Sequence, residues 1–169
     1  DKDISDRCKS LRNLCFQKGN RFVHKELGWN YRLTNLQAAL GIAQLEKLEE
    51  TVKKKIKIGK LYNKYLGDIE QIILPLKKTE YAENIYWVYG ILAKNFSHQK
   101  KITNQLFRRG IETRPFFWPL NKQPILKKMG FFKKVKMPIA EDLARRGFYI
   151  PSGLSLSIKE QKYVIQNLK

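Results

Sequence analysis

Cysteine and histidine are scarce in this chain, and acid is scarce relative to base. Two cysteines and two histidines are present in 169 residues. Cys8 and Cys15 fall in one expected helix, where a rise of about 1.5 Å per residue sets them ~10 Å apart, beyond disulfide reach. Two thiols and two scattered histidines form no zinc cluster, and such sparse cysteine fits a reducing cytoplasm. No apolar run approaches the ~18 residues of a membrane span. The segment Asp1-Lys2-Asp3-Ile4-Ser5-Asp6 lacks the apolar core that a signal peptide carries. Acid is outnumbered, with 15 Asp and Glu against 34 Lys and Arg and a net charge of +19. That excess has three readings: nucleic-acid phosphates, an anionic substrate, or a lysine-rich protein whose acidic counterpart lies elsewhere. Lysine dominates over arginine, which argues against dense bidentate phosphate recognition.

What is present is globular. Hydrophobic residues make up 43% and aromatics 12%, enough for one sizeable core and one domain with an arm. The stretch that organises the rest runs Gly28-Trp29-Asn30-Tyr31-Arg32-Leu33-Thr34-Asn35-Leu36-Gln37-Ala38-Ala39-Leu40-Gly41. It puts an amide, a phenol and a guanidinium on consecutive residues just before a helix start. Thr34 and Gln37 have capping-box spacing. Polar groups ahead of a helix N-terminus sit where N–H donors and the helix dipole favour an anion, a phosphate or a carboxylate.

Along the chain, Asp3 to about Phe16 reads as a helix with Ile4, Cys8, Leu11 and Cys15 on one face, capped by Asp3 or Ser5. Residues 19–27 read as a polar loop with His24 at the surface. Thr34 to Leu66 is the longest expected element, about 50 Å if unbroken. Leu36, Leu40, Ala43, Leu48, Val52, Ile56 and Tyr62 keep its apolar spacing. The other face runs from Glu46, Glu49 and Glu50 to Lys53, Lys54, Lys55, Lys57 and Lys60, an order that suits the dipole and reads as a solvated face. Gln71 to Pro75, with Ile72, Ile73 and Leu74, is a short strand or extended link, and Ile85 to Leu92 the clearest strand and the expected centre of a sheet. Ser97 to Gly110 is a helix with Ile102, Leu106 and Phe107 inward. Ile111 to Phe117 follows as a strand; Pro115 and Pro119 remove ladder donors, so the segment must leave the sheet or run along an edge. Its Arg114, Phe116, Phe117 and Trp118 form either a pocket wall or an aromatic core cluster. A helix over Pro138 to Gly147, a strand over Phe148 to Pro151 and a helix capped by Ser157 with Glu160 complete the chain.

The Gly28–Gly41 stretch, with Ala43-Gln44-Leu45-Glu46 after it, resembles the signature of the DegT/StrS sugar aminotransferases. Gly110-Ile111-Glu112-Thr113-Arg114-Pro115-Phe116-Phe117-Trp118-Pro119-Leu120 is similar to a second block of that family. Ala140-Glu141 through Gly147 to Pro151-Ser152-Gly153-Leu154-Ser155-Leu156-Ser157 resembles its C-terminal end. The second block is most similar to the branch that aminates a GDP-linked 4-keto-6-deoxy sugar. The resemblance implies an α+β fold, the small C-terminal domain of a fold-type I transferase dependent on pyridoxal 5'-phosphate. It would consist of one long helix and a small antiparallel or mixed sheet with helices. Residues 1–33 would be an arm belonging to a large domain and 34–169 the small domain. The cofactor-binding domain and its Schiff-base lysine would lie upstream, so this chain alone is expected to be inactive and to hold no catalytic residue.

By the same resemblance Asn30 would reach the cofactor phosphate of the partner subunit in a homodimer. Arg32 would face the substrate and hold a donor carboxylate or a sugar diphosphate, with Arg114, Trp118 and Asn121 on the substrate side. Asn121 is a departure, because the family commonly has histidine there, and asparagine lacks histidine's charge switch. The implied reaction passes an amino group from glutamate to a nucleotide-linked keto sugar. Neither a membrane nor nucleic acid is an expected partner. The rival readings are a basic module using the lysines of 53–60 and 127–136, a dimerising remnant, and a dehydratase with histidine for the cofactor lysine.

Overall fold

The computed structural model describes residues 1–16, 19 and 22–169. The chain divides into two compact units, Asp1–Leu48 and Glu49–Lys169; the sequence reading placed its boundary at 33/34.

The first unit opens with α1, Lys2–Arg12. Its cap is Asp1, whose carboxylate accepts from the Asp3 N–H at 2.8 Å and the Ile4 N–H at 3.4 Å. The helix stops short of the expected Phe16 because Leu14 and Cys15 adopt φ of 61° and 52°, left-handed values that end a right-handed helix. Cys15 therefore leaves the helix that carries Cys8. It is 1% exposed, with its thiol 3.5 Å from the Leu27 carbonyl. Of the expected loop 19–27, Asn20 and Arg21 lie outside the described residues. His24 is exposed there, with Nδ1 2.7 Å from the Leu14 carbonyl. Helix α2, Asn35–Glu46, starts at the capping box that Thr34 and Gln37 were expected to form. None of its residues is buried: Leu36, Leu40 and Leu45 are 80%, 69% and 67% exposed.

The single long helix is interrupted. Lys47 has φ −102° and ψ 7°, and its N–H is shared between the Gln44 and Leu45 carbonyls. Helix α3, Leu48–Leu66, begins anew with Glu49 and Glu50 in its first turn, where acid offsets the unpaired N–H groups. The buried face of α3 is Ile58, Gly59, Tyr62 and Leu66, so the inward stripe shifts from the one read through Leu36, Leu40 and Leu48.

The second unit is built on a four-stranded antiparallel sheet in the order β1-β2-β4-β3, with β1 at Ile72–Ile73, β2 at Tyr89–Ala93, β3 at Arg114–Pro115 and β4 at Gly147–Ile150. Strand β2 is interior, as expected, but starts later than Ile85. Tyr86 has φ 54°, and its N–H donates to the Asn84 side chain at 2.7 Å. That side-chain turn holds the backbone out of the ladder until Tyr89. Along β2, Tyr89, Ile91 and Ala93 are buried with the period of two that a strand imposes. They join Tyr62, Leu66, Phe148, Ile150 and Leu106 in the core. Leu106 comes from α4, Phe96–Arg108, capped by Asn95. Phe107, expected inward, is 78% exposed, since it sits one residue (about 100°) around the helix from buried Leu106. Strand β3 lies at the sheet edge, where Pro115 withholds no N–H that an inner neighbour needs.

After β3 come a 3₁₀ turn, Leu120–Lys122, and two helices, α5 at Pro124–Lys128 and α6 at Pro138–Arg146. The last helix, α7 at Ile158–Leu168, carries the expected Ser157–Glu160 capping box. Three side-chain bonds lock α3 to the C-terminal segment: Tyr62 to the Pro151 carbonyl at 2.7 Å, Lys55 to that of Ser152 at 2.6 Å, and Gln161 to that of Ile58 at 2.7 Å. A fourth arrangement joins two phenols through one amide. Asn63 donates to the Tyr86 hydroxyl, and the Tyr89 hydroxyl donates to Asn63, each at 2.7 Å. Gly59 is what lets Tyr86 come so close, because a Cβ at that position would lie 2.2 Å from Tyr86 Cγ.

Candidate functional site

The candidate residues fall into two groups, one in each unit. In the first unit, residues 28–32 lie against the end of α1 through main-chain bonds. Trp29 N–H donates to the Leu11 carbonyl at 2.7 Å, Leu14 N–H to that of Trp29 at 3.1 Å, and Tyr31 N–H to that of Arg12 at 3.0 Å. Asn13 and Asn30 pair as an antiparallel bridge. The approach requires glycine at 28, where a Cβ would lie 2.6 Å from the Cys15 nitrogen.

An extended backbone sends successive side chains to opposite sides. Trp29 and Tyr31 accordingly stack, with ring centroids 6.2 Å apart and planes within 9°. Asn30 and Arg32 meet on the other side, where Arg32 Nε donates to Asn30 Oδ1 at 3.0 Å. That bond fixes the amide's orientation, since the arginine has only donors and must take the oxygen. The Nδ2 group of Asn30 then remains as a donor, and among the described residues no hydrogen bond uses it. Both side chains are exposed. An exposed amide N–H donor, fixed by a guanidinium, thus stands ahead of the Thr34-capped helix.

In the second unit, β3, β4 and the N-terminal part of α3 border a cleft of about 560 Å³ lined by Lys55, Trp87, Arg114, Phe117, Tyr149 and Ser152, among others. Arg114 sits opposite Tyr149 in the β3–β4 register. Its Nε is 3.9 Å from Glu112, with both side chains 81% exposed, so the guanidinium keeps most of its donors for a ligand. Burial pulls the Lys55 ammonium below its usual range, and its bond to the Ser152 carbonyl holds it in the wall. Phe116 stacks on Tyr149 at 4.6 Å under the same strands.

The other two candidates lie elsewhere. Trp118 donates from Nε1 to the Lys122 carbonyl at 3.2 Å and borders a neighbouring depression of about 530 Å³ with Phe96, Phe117 and Arg145. Asn121 does not line the cleft. It is 4% exposed, its Nδ2 donates to Glu141 at 2.8 Å and to the Val135 carbonyl at 3.3 Å, and its Oδ1 is enclosed with no partner among the described residues. Glu141 is the hub of this cluster. It accepts from Lys122 at 2.9 Å and from the Met137 N–H at 3.2 Å. The hydrogen bonds from Lys122, Asn121 and Met137 hold its carboxyl down at about 2.

Lys55, Trp87 and Tyr149 were not singled out from sequence as cleft residues. Lys55 was hidden in a run of lysines that reads as a solvated face, and only the carbonyl at Ser152 distinguishes it. Among the described residues no group of acidic, histidine or cysteine side chains is arranged to hold a metal.

Residues 1–169 match the DegT/DnrJ/EryC1/StrS aminotransferase family, and the chain belongs to it. It is 33% identical over 168 residues to the GDP-perosamine synthase of Escherichia coli O157:H7, covering 99% of this chain and 44% of that protein. To the putative pyridoxal phosphate-dependent aminotransferase EpsN of Bacillus subtilis (strain 168) it is 32% identical over 172 residues, covering 99% and 43%. The chain thus spans less than half the length of these relatives. Among solved structures, the fold matches Helicobacter pylori PseC, an aminotransferase involved in the biosynthesis of pseudoaminic acid. That match has a TM-score of 0.86 at 23% identity and covers 99% of this chain and 46% of that one. A putative sugar aminotransferase from Streptococcus pneumoniae in its PLP-form matches with a TM-score of 0.86 at 19% identity, covering 99% and 43%. The fold is therefore that of the C-terminal part of such transferases.

Proposed function

We propose that this chain supplies the partner-facing phosphate contact and one wall of the sugar pocket in a dimeric aminotransferase. The cofactor would be pyridoxal 5'-phosphate, the donor glutamate, and the acceptor a GDP-linked 4-keto-6-deoxy sugar. The observation that carries the reading is the fixed donor edge of Asn30, aimed by Arg32. A cofactor phosphate needs hydrogen-bond donors, and a neutral amide provides one without adding a charge that competes with the protonated cofactor nitrogen. When bound, the cofactor supplies the electron sink for amino transfer.

The residues of this chain do the holding. Asn30 Nδ2 would donate to a phosphate oxygen, and Arg32 would keep that amide from rotating while its remaining N–H groups face a carboxylate or diphosphate. In the cleft, Arg114 and Lys55 offer positive charge to a diphosphate, and the rings of Trp87, Phe117 and Tyr149 offer apolar faces to a base or sugar. Asn121 would act at a distance, by holding the 131–137 segment through Glu141. Support for the substrate comes from the names of the relatives, GDP-perosamine synthases of Escherichia coli O157:H7 and Vibrio cholerae.

The test is Asn30→Ala in the protein that carries the cofactor lysine. Loss of a hydrogen bond to a charged group raises the dissociation constant for the cofactor by about tenfold or more, followed by the visible absorbance retained after dialysis, with far-UV circular dichroism unchanged. Undiminished retention overturns the assignment. Assay with GDP-4-keto-6-deoxymannose and glutamate tests the substrate separately.

A further inference from the structure

Between Asn121 and Glu141 the sequence contains no acid and no arginine. Beyond Lys122, which is paired to Glu141, this span holds Lys127, Lys128, Lys133, Lys134 and Lys136. All five are exposed, and among the described residues none of them forms an ion pair. Interleaved with them are exposed apolar side chains: Ile125, Met129, Phe131, Val135 and Met137.

The geometry holds this surface in place. Helix α5 ends in a Schellman turn, with Phe131 N–H on the Leu126 carbonyl at 2.9 Å and Gly130 N–H on that of Lys127 at 3.0 Å. Gly130 takes the φ of 85° that this turn requires. Phe132, at φ 56°, turns the chain again. Two pairs of lysines thereby flank, in sequence, the turn that carries the exposed Phe131. At the far end, Asn121 holds the Val135 carbonyl and Glu141 holds the Met137 N–H, so the segment is tied there while Met129, Phe131 and the lysines remain exposed.

We propose that residues 124–137 are a docking surface for an anionic lipid bilayer, touching its headgroups with lysine and its interface with Phe131, Met129 and Ile125. The chemistry favours a bilayer over a nucleic acid. Every cation is a lysine, a point charge suited to a diffuse anionic surface and poorly suited to bidentate phosphate or base recognition. The exposed side chains between the lysines are mostly aliphatic, which the headgroup–acyl boundary buries favourably and a base stack does not. No helix among the described residues is long and apolar enough to cross a membrane, so the contact is peripheral. It departs from the expectation that a membrane is no partner.

Co-sedimentation of the full chain with vesicles tests this at about 0.1 M salt. Vesicles of phosphatidylcholine with roughly a third phosphatidylglycerol are expected to bind it, and pure phosphatidylcholine is not. Each lysine is worth about fivefold in partitioning, so Lys127→Gln/Lys128→Gln/Lys133→Gln/Lys134→Gln should abolish measurable binding. Phe131→Ser should weaken it by roughly tenfold. The same number of charges removed from α3, as Lys53→Gln/Lys54→Gln/Lys57→Gln/Lys60→Gln, should leave most of the binding. Equal binding to both vesicle types overturns the proposal, as does an equal loss in the two four-lysine variants. Tighter binding to a duplex oligonucleotide than to anionic vesicles, lost in the 127–134 variant, assigns the surface to nucleic acid instead. Matching far-UV circular dichroism of the variants confirms that each comparison is made on folded protein.

Discussion

Leu66 and Leu40 are the same residue type on successive helices, and their surroundings are opposites. Leu66 is wholly buried in the core of the second unit, whereas Leu40 is 69% exposed in the first. The contrast extends to the units. Glu49–Lys169 organises an antiparallel sheet around fifteen buried apolar side chains. Asp1–Leu48 has one buried side chain among its described residues, Cys15, and keeps its shape through main-chain bonds, a capping box and the Arg7–Glu26 ion pair. The second unit is thus held by burial and the first by hydrogen bonding. The first unit leaves a full apolar helix face in the open, as the proposed dimer would need.

Paired substitutions test that difference. Leu66→Ala should lower the unfolding free energy by about 2–5 kcal/mol, and Leu40→Ala should change it by about 0.5 kcal/mol or less, both read by urea unfolding. A Leu40→Ala cost near that of Leu66→Ala breaks the contrast, because it means α2 is covered in solution. The two helix glycines should respond with opposite signs. Gly59→Ala drives a methyl into the Tyr86 ring and should cost about 1–3 kcal/mol. Gly41→Ala, with nothing within 4 Å of its Cβ, should gain up to about 1 kcal/mol from helix propensity.

Smaller still are the caps. Thr34→Ala and Ser157→Ala each remove half of a capping box, worth about 1 kcal/mol. Ser157→Ala should appear in global unfolding, and Thr34→Ala in amide exchange confined to α2. The smallest effect is local and depends on pH. The Glu141 carboxyl is lowered from 4.5 to about 2, so the folded state favours its charged form. Its grip on Met137 is fully present above about pH 4.5 and is lost as pH falls toward 2. Amide protection of Met137 should decline over that window while α3 remains protected. Constant protection would show that Asn121 and Lys122 hold the segment without the carboxylate.

Much of this was legible in the sequence, and what was legible was local. Both capping boxes could be read from two side chains three residues apart, and the missing N–H of Pro115 narrowed β3 to a place outside the sheet or at its edge. That Asn30 and Arg32 share a side depends on the extended backbone of 29–32, which the bridge to Asn13 sets. What escaped depended on distant partners or on single backbone angles. The break at Lys47 has no glycine or proline to announce it. Tyr86 lies in a run of β-formers, and its left-handed φ follows from the Asn84 side chain and the space left by Gly59. Phe107 and Leu106 are adjacent apolar residues, and only packing decides which of them turns inward. Asn121 looks like a substrate contact beside Trp118 until Glu141, twenty residues on, accepts its amide.

Two buried phenols, Tyr62 on the Pro151 carbonyl and Tyr89 on Asn63, have a consequence in alkali. Burial raises the Tyr62 and Tyr89 hydroxyls well above the ordinary tyrosine range, so the native state retains those protons where the unfolded chain gives them up. The stabilisation is complete below about pH 10 and drains away as pH rises beyond it. The folded chain therefore cannot ionise these two rings gradually. Their phenolate absorption should arrive in one step with the collapse of the sheet, which makes ultraviolet colour itself a measure of how much of Glu49–Lys169 is still intact.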